Sequence, residues 1–263
     1  MKIARFEDTN GNIGFGIIGA DPRQAERIDG DLFGKFTRTG KTVSIRRLLA
    51  PVEPPNILAI GLNYRDHANE SNMAVPTAPV IFLKATTTVI GPDEPILLPK
   101  PAPNEVDYEA ELVVVIGRKC KDVEPAQALD YVFGYTCGND VSARDCQIKI
   151  DKQWARGKSF DTFCPLGPWI VTRDELDPSD LPIKCVLNGQ AVQDSRTSEL
   201  IFSVPVLISY LSKQFTLLPG TVIMTGTPPG VGFARKPPLF LKSGDSIAVE
   251  IGGIGTLTNP VKM

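Results

Sequence analysis

The chain has 263 residues, 42% of them hydrophobic, with 28 Lys and Arg against 30 Asp and Glu and a formal net charge of −2. That is enough apolar material for a large core, in one big domain or one big and one small. It also excludes the clustered excess of basic residues that a nucleic-acid surface needs.

No charged-then-apolar leader and no eighteen-residue apolar run stands in the sequence, so neither secretion nor membrane spanning is expected. Five cysteines without a C-x-x-C pair fit free thiols in a reducing compartment, and a cytoplasmic location is the expectation. The 23 Gly and 23 Pro suit many short strands joined by tight turns.

In chain order, residues 2–6 and 14–18 alternate like two strands about the turn Asp8-Thr9-Asn10-Gly11. Gly14-Phe15-Gly16-Ile17-Ile18-Gly19 spells a dinucleotide fingerprint, but Asp21-Pro22-Arg23 follows where that motif must open a helix, so nucleotide binding is rejected. After a few polar residues comes Val43-Ser44-Ile45-Arg46-Arg47-Leu48-Leu49, and Pro51, Pro54 and Pro55 then mark a linker. A small N-terminal domain, 1–53, and a main domain, 54–263, are expected.

Residues 56–60 read as a buried strand ended by Gly61. His67, the only histidine, precedes Glu70 by three residues, which puts both on one face of a helical turn. A carboxylate there would orient the imidazole and raise its basicity, as a general base needs; a surface pair is the alternative. Residues 79–84 are a further strand.

The stretch Glu105-Val106-Asp107-Tyr108-Glu109-Ala110-Glu111 runs into Leu112-Val113-Val114-Val115-Ile116 and ends at Gly117. As a strand it places Asp107, Glu109 and Glu111 on one face, with neighbours roughly 6.5–7 Å apart. No Lys or Arg stands among them. The face must be wet, or hold a protonated acid, or hold a cation. Its continuation as Val113 and Val115 favours the rim of a buried pocket, and a hard ion such as Mg²⁺ suits such oxygens.

A short helix is expected over 123–130 and a strand over 131–137, which delivers Asp140 at its end. Arg144 and Gln147 fit one face of a following helix. Lys158, after Gly157 and flanked by aromatics, could cover an anion or be solvated. Residues 183–187 and 191–194 form a hairpin about Asn188-Gly189, 203–214 has helical spacing, and 221–225 is a strand. The loop Gly226-Thr227-Pro228-Pro229-Gly230-Val231-Gly232 offers backbone N–H groups and a hydroxyl to a carboxylate, but lacks the ending of a phosphate loop. Residues 246–251 and 255–259 are the last strands.

Five of these stretches together resemble the fumarylacetoacetate hydrolase family. They are Gly61-Leu62-Asn63-Tyr64-Arg65-Asp66-His67, Glu109-Ala110-Glu111, Asn139-Asp140-Val141-Ser142-Ala143-Arg144-Asp145, Gly157-Lys158-Ser159-Phe160-Asp161 and Thr225 through Gly232, in the family's order. Within it, the run 235–242 is similar to the branch of fumarylacetoacetate hydrolase domain-containing protein 2.

The resemblance implies a mainly β (α+β) fold with short helices: a twisted β-roll catalytic domain, preceded here by the small N-terminal β domain. It implies a homodimer and one Mg²⁺ or Mn²⁺ held by Glu109, Glu111 and Asp140. His67 and Glu70 carry over as the catalytic pair on a lid, and Lys158 joins them. Arg144, Gln147 and Thr227 carry over as substrate-facing. Neither Asn63 nor Asp66 aligns cleanly with the founding hydrolase's further metal ligand, and Asp107 lies outside the ligand set.

The expected substrate is a small 2-oxo acid, chelated by the ion and turned over through an enolate that the ion stabilises. Oxaloacetate keto–enol tautomerisation is the leading reading. Hydrolysis of acylpyruvate or fumarylacetoacetate type and oxaloacetate decarboxylation are the alternatives, and a non-catalytic metal-binding protein is the reading from another class.

Overall fold

The computed structural model describes residues 1–150 and 153–263. It begins with β1 (Lys2–Asp8), β2 (Ile13–Ile18), β3 (Gln24–Gly30) and β4 (Phe36–Leu49). β1 pairs with β2 and β4, and β3 pairs with both of these, so the four antiparallel pairings close on themselves. Ala4, Phe6, Ile18 and Ala25 fill one side of this unit and Ile3, Ile28 and Leu32 another.

β3 and the first half of β4 escape a reading by hydrophobicity because their residues are mostly polar, as in Gln24-Ala25-Glu26-Arg27. The glycine fingerprint lies within and just after β2, with no helix following it.

The rest of the chain adds β5 (Ile57–Gly61), α1 (Arg65–Glu70), β6 (Val80–Lys84), β7 (Val89–Ile90), β8 (Ile96–Leu97), β9 (Val106–Asp107), β10 (Ala110–Ile116), β11 (Val132–Asn139) and β12 (Ser142–Ala143). Then come α2 (Trp154–Lys158), β13 (Cys164–Thr172), β14 (Pro182–Leu187), β15 (Gln190–Arg196), α3 (Val204–Gln214), β16 (Val222–Met224), β17 (Ser246–Ile251) and β18 (Gly255–Lys262).

The large sheet runs β2-β3-β4-β1-β13-β11-β10-β16-β5-β6, and a second runs β15-β14-β17-β18-β8. The N-terminal strands join the large sheet where Lys2 and Ile3 pair with Val171 and Ile170 of β13.

β10 is buried on both faces. Leu112, Val114 and Ile116 pack with Ile183, Cys185, Val249 and Leu257 of the second sheet, which forms the main core. Val113 and Val115 pack on the opposite face with Ile57, Ala59, Leu166 and Met224. The expectation of a mainly β fold with short helices therefore holds. No helix among the described residues is long and apolar enough to cross a membrane.

Three elements differ from expectation. The acidic strand is broken: Asp107 ends β9, which pairs with β12, and β10 starts only at Ala110. At the break the N–H groups of Glu109 and Ala110 turn from the ladder to the side chains of Asn139 (3.0 Å) and Gln193 (2.9 Å). The helix expected over 123–130 is a 3-10 helix at Pro125–Tyr131. The helix expected to carry Arg144 and Gln147 is a π-helix at Asp145–Ile150, with Arg144 just before it.

Candidate active site

β10 and β11 pair with Ala110 opposite Asn139 and Glu111 opposite Gly138. This register brings Asp140, at the exit of β11, beside the two glutamates, and its N–H donates to the Glu109 carbonyl at 2.9 Å. One carboxylate oxygen from each of Glu109, Glu111 and Asp140 lies within 4.8 Å of the others, and all three residues are buried. Asp107, once the strand breaks, is not part of this group.

Two lysines reach the triad. Lys158 Nζ lies 2.7 Å from Glu109 Oε2 and 2.6 Å from Asp140 Oδ2. Lys84 Nζ donates to Asp140 Oδ1, and to the Val141 carbonyl at 3.4 Å.

The two glutamates are driven in opposite directions. Burial raises the pKa of Glu109, but Lys158 and Arg144 outweigh it and hold the carboxyl at about 2. Burial also raises Glu111, and the charges of Asp140 and Glu109 push it further. Lys158 and the Gly226 N–H, 2.8 Å from Oε2, oppose that shift only in part.

Counted as fully ionised, the three carboxylates exceed the two ammonium groups by one formal charge, and that crowding is what raises Glu111. The donors are all hard oxygens, each with a second lone pair for a further partner. This set fits a divalent cation of the Mg²⁺ class, and Glu109, Glu111 and Asp140 are the residues that could hold it.

Beside the triad opens a cavity of about 450 Å³, lined by His67, Glu109, Arg144, Gln147, Lys158 and Thr227 and walled by apolar residues including Ile60, Leu62, Phe82, Trp154 and Phe233. Of the expected metal, catalytic and substrate-facing residues, Glu111, Asp140 and Glu70 are absent from this lining.

His67 Nδ1 meets Glu70 Oε1 at 2.9 Å, and the other oxygen of Glu70 accepts the Gly230 N–H at 2.8 Å. α1, only six residues long, therefore presents the pair in one fixed orientation. Asn63 spends its amide on Phe202 and Thr225, and Asp66 is exposed, so neither belongs to the site.

Arg144 donates from Nε to Asp107 (2.8 Å) and from Nη1 to Gln147 (2.8 Å), and lies 4.4 Å over the Phe233 ring. Its Nη2 is 2.7 Å from Glu109 Oε1, which ties the guanidinium to the triad as well.

Lys158 lines the cavity and is buried, not solvated, with its ammonium engaged by two of the triad carboxylates. The 226–232 loop binds carboxylates, as its N–H groups suggest, but they are the protein's own. Its N–H groups serve the site's own acids, Gly226 to Glu111, Gly230 to Glu70 and Gly232 to Asp107. Thr227 lines the cavity, but its hydroxyl donates to the Ala110 carbonyl (3.0 Å) and accepts from Gln193 (2.8 Å).

Two glycines are required by close approach, Gly61 at the cavity wall and Gly232 beside Asp107. A Cβ on Gly61 would stand 2.2 Å from the Trp154 ring, and one on Gly232 1.9 Å from the Leu239 carbonyl oxygen.

Sequence reasoning missed Lys84, Asn139 and Gln193. For Lys84 a signal existed: in β6 it shares the inward face with Phe82 while Leu83 is exposed. Asn139 and Gln193 act through backbone groups of the broken strand, which no spacing announces.

Comparison with known proteins adds three findings. Residues 56–262 match the family described as fumarylacetoacetate (FAA) hydrolase C-terminal, and residues 1–51 match one described as Rv2993c-like, N-terminal. The chain is 54% identical over 227 residues to a fumarylacetoacetate hydrolase domain-containing protein 2 homolog of Dictyostelium discoideum, across 82% of this chain and 74% of the relative. It is 52% identical over 217 residues to the mitochondrial oxaloacetate tautomerase fahd2 of Xenopus laevis, across 81% and 68%. Among solved structures, 5-carboxymethyl-2-hydroxymuconate delta-isomerase from Mycobacterium smegmatis is similar over 100% of this chain and 99% of its own, with TM-score 0.89 and 46% identity.

Proposed function

Because the chain belongs to the fumarylacetoacetate hydrolase family, we propose that it is a divalent-metal-dependent enzyme of small 2-oxo acids, and that its reaction is the keto–enol tautomerisation of oxaloacetate. One observation carries the reading: a histidine oriented by a carboxylate opens onto the same cavity as Glu109, Arg144 and Lys158. The relatives named oxaloacetate tautomerase support the choice of substrate.

Glu109, Glu111 and Asp140 are the ligands in this reading, and Mg²⁺ or Mn²⁺ suits their oxygens. An ion held by these three residues would supply Lewis acidity to a 2-oxo group and so make the protons on C3 more acidic.

Glu70 accepts from His67 Nδ1–H, which leaves Nε2 as the basic nitrogen. His67 Nε2 removes a proton from C3, and the bonding pair moves into C2–C3 as the 2-oxo oxygen gains negative charge. Protonation of that oxygen gives the enol, and reversal regenerates the ketone. Arg144, which lines the cavity, holds a substrate carboxylate. Lys158 stabilises the charge that develops at C2 oxygen. The apolar walls keep bulk water from the basic nitrogen and strengthen both contacts. Thr227 contributes a wall, and Gln147 fixes the Arg144 guanidinium.

A second reading, C–C hydrolysis of an acylpyruvate, is favoured by one feature, the apolar wall of Ile60, Leu62, Phe82, Trp154 and Phe233. It suits an acyl chain better than a second carboxylate.

Following enol absorbance and pyruvate release separately, with Mg²⁺ and either oxaloacetate or acetylpyruvate, distinguishes the readings. Rapid enol–ketone exchange of oxaloacetate without pyruvate is the expected result. Faster pyruvate release from acetylpyruvate identifies a hydrolase, and release from oxaloacetate a decarboxylase. Rates equal to those of the ion without protein would leave a metal-binding protein.

A further inference from the structure

Lys84 has no role in the chemistry above, yet it is the most deeply placed cation of the site. It ends β6, paired with Ile57 of β5. Its side chain is 0% exposed, like that of its partner Asp140. An ammonium ion in such a place is costly unless it is paired and hydrogen-bonded. Its recorded partners are Asp140 Oδ1 and the Val141 carbonyl.

Lys158 differs. It lines the cavity and bridges Glu109 and Asp140. Lys84 is absent from the cavity lining and is held behind the carboxylate it serves.

We propose that Lys84 is a positioning residue that sets the charge of the metal centre: fixed on Asp140, it weakens the triad's hold on a divalent ion and leaves the loaded site positive toward an anionic substrate. The second half of this proposal rests on the 2-oxo acid reading.

Glu109, Glu111 and Asp140 carry three formal negative charges, and Lys84 and Lys158 two positive ones. Asp107 and Arg144 pair with each other and cancel. A divalent ion raises the total to one positive charge, which an enolate can meet; without Lys84 the loaded centre would be neutral. The interior dielectric is low, so a fixed ammonium beside a ligand carboxylate is felt strongly by both the ion and the substrate.

The competing account makes Lys84 a mere anchor for Asp140. The two accounts predict opposite signs. If Lys84 only anchors, its loss loosens a ligand and weakens ion binding. If it tunes charge, its loss removes repulsion and tightens ion binding while the reaction slows.

The test is Lys84→Met, titrated with Mg²⁺ by calorimetry in the absence of substrate, after a thermal melt has shown the variant folded. A dissociation constant lower by about tenfold, together with a higher KM and lower kcat on oxaloacetate, is expected. Lys84→Arg, which keeps the charge, should return the Mg²⁺ affinity toward wild type.

A dissociation constant that rises in Lys84→Met overturns the proposal. Should Lys84→Met not fold, Lys84→Gln keeps a donor for Asp140 without the charge and must show the same tightening. Failure of both neutral variants to fold would make Lys84 a structural counter-ion and overturn the proposal too. Lack of turnover in the wild type would defeat the enzymatic reading alone, because the Mg²⁺ comparison uses no substrate.

Discussion

Arg38 and Glu26 join β3 to β4 with side chains 63% and 21% exposed, whereas Arg144 and Asp107 meet at 4% and 0%. The same contrast separates the two ends of the large sheet. Around the N-terminal strands each pair keeps at least one partner in contact with water, as in Arg46 and Arg47 on Glu7 and Glu53 on Arg5. At the active site Lys84, Lys158 and Arg144 meet their acids in the interior. Pairs of the first kind are screened and add little to stability. Pairs of the second kind lose hydration that their attraction scarcely repays, so stability alone is a poor reason to keep them. The ledger of charge in this molecule is concentrated where chemistry is proposed.

The largest effects should come from groups at the reacting end of that buried network. His67→Ala is expected to slow oxaloacetate tautomerisation by about 10²–10⁴-fold and to leave Mg²⁺ affinity near wild type, since His67 is not a ligand. Equal turnover in variant and wild type would remove His67 from the mechanism. Glu109→Gln should lower Mg²⁺ affinity and turnover together, each by more than about a hundredfold. That substitution also takes a charge partner from Lys158 and Arg144. Undiminished affinity by calorimetry would refute Glu109 as a ligand.

Asp107→Asn sharpens the contrast from inside the network. Asp107 accepts the N–H groups of Tyr108 (2.8 Å), Gly232 (2.7 Å) and Phe233 (3.0 Å) besides Arg144 Nε. The amide keeps an oxygen for the Tyr108 and Gly232 N–H groups but turns a donor toward Arg144 Nε and the Phe233 N–H, which share the other oxygen. Breaking a buried pair in this way should lower the unfolding free energy by about 3 kcal/mol, read from urea melts. KM should rise because Arg144 is no longer aimed, while Mg²⁺ affinity stays close to wild type. If Mg²⁺ affinity falls as far as in Glu109→Gln, then Asp107 acts on the metal centre and not through Arg144.

Much of this was legible in the residues, for identifiable reasons. Glu109 and Glu111 could be put on one face because alternation fixes where side chains go, whereas the grouping of Asp140 with them, without Asp107, came from the family resemblance. His67 and Glu70 could be foreseen because three residues on a helix make neighbours. Asp107 was placed in the wrong company because its strand breaks at Tyr108, where Asn139 and Gln193 capture two backbone N–H groups. Those partners lie 30 and 83 residues away in sequence, beyond any local pattern. The 226–232 loop was understood as N–H rich, but its recipients, Glu111, Glu70 and Asp107, are set by tertiary placement alone. β3 went unseen because a strand in a small unit with solvent outside can be largely polar.

The smallest effect belongs to the exposed pairs, and it is the one that can break the contrast outright. Glu26 holds Arg38 by more than one contact and also accepts the Gly40 N–H at 3.3 Å. The Arg38 guanidinium lowers the Glu26 pKa although burial opposes it. Solvent and salt screen this pair, and water replaces either partner readily once the other is gone. Glu26→Ala should therefore leave turnover and Mg²⁺ affinity unchanged, with a melting temperature indistinguishable from wild type at 0.15 M salt. Raising the salt should not separate the two proteins, because little attraction is left to screen. A destabilisation as large as that of Asp107→Asn would mean that the N-terminal strands depend on their ion pairs as the active site does, and burial would no longer be what divides them.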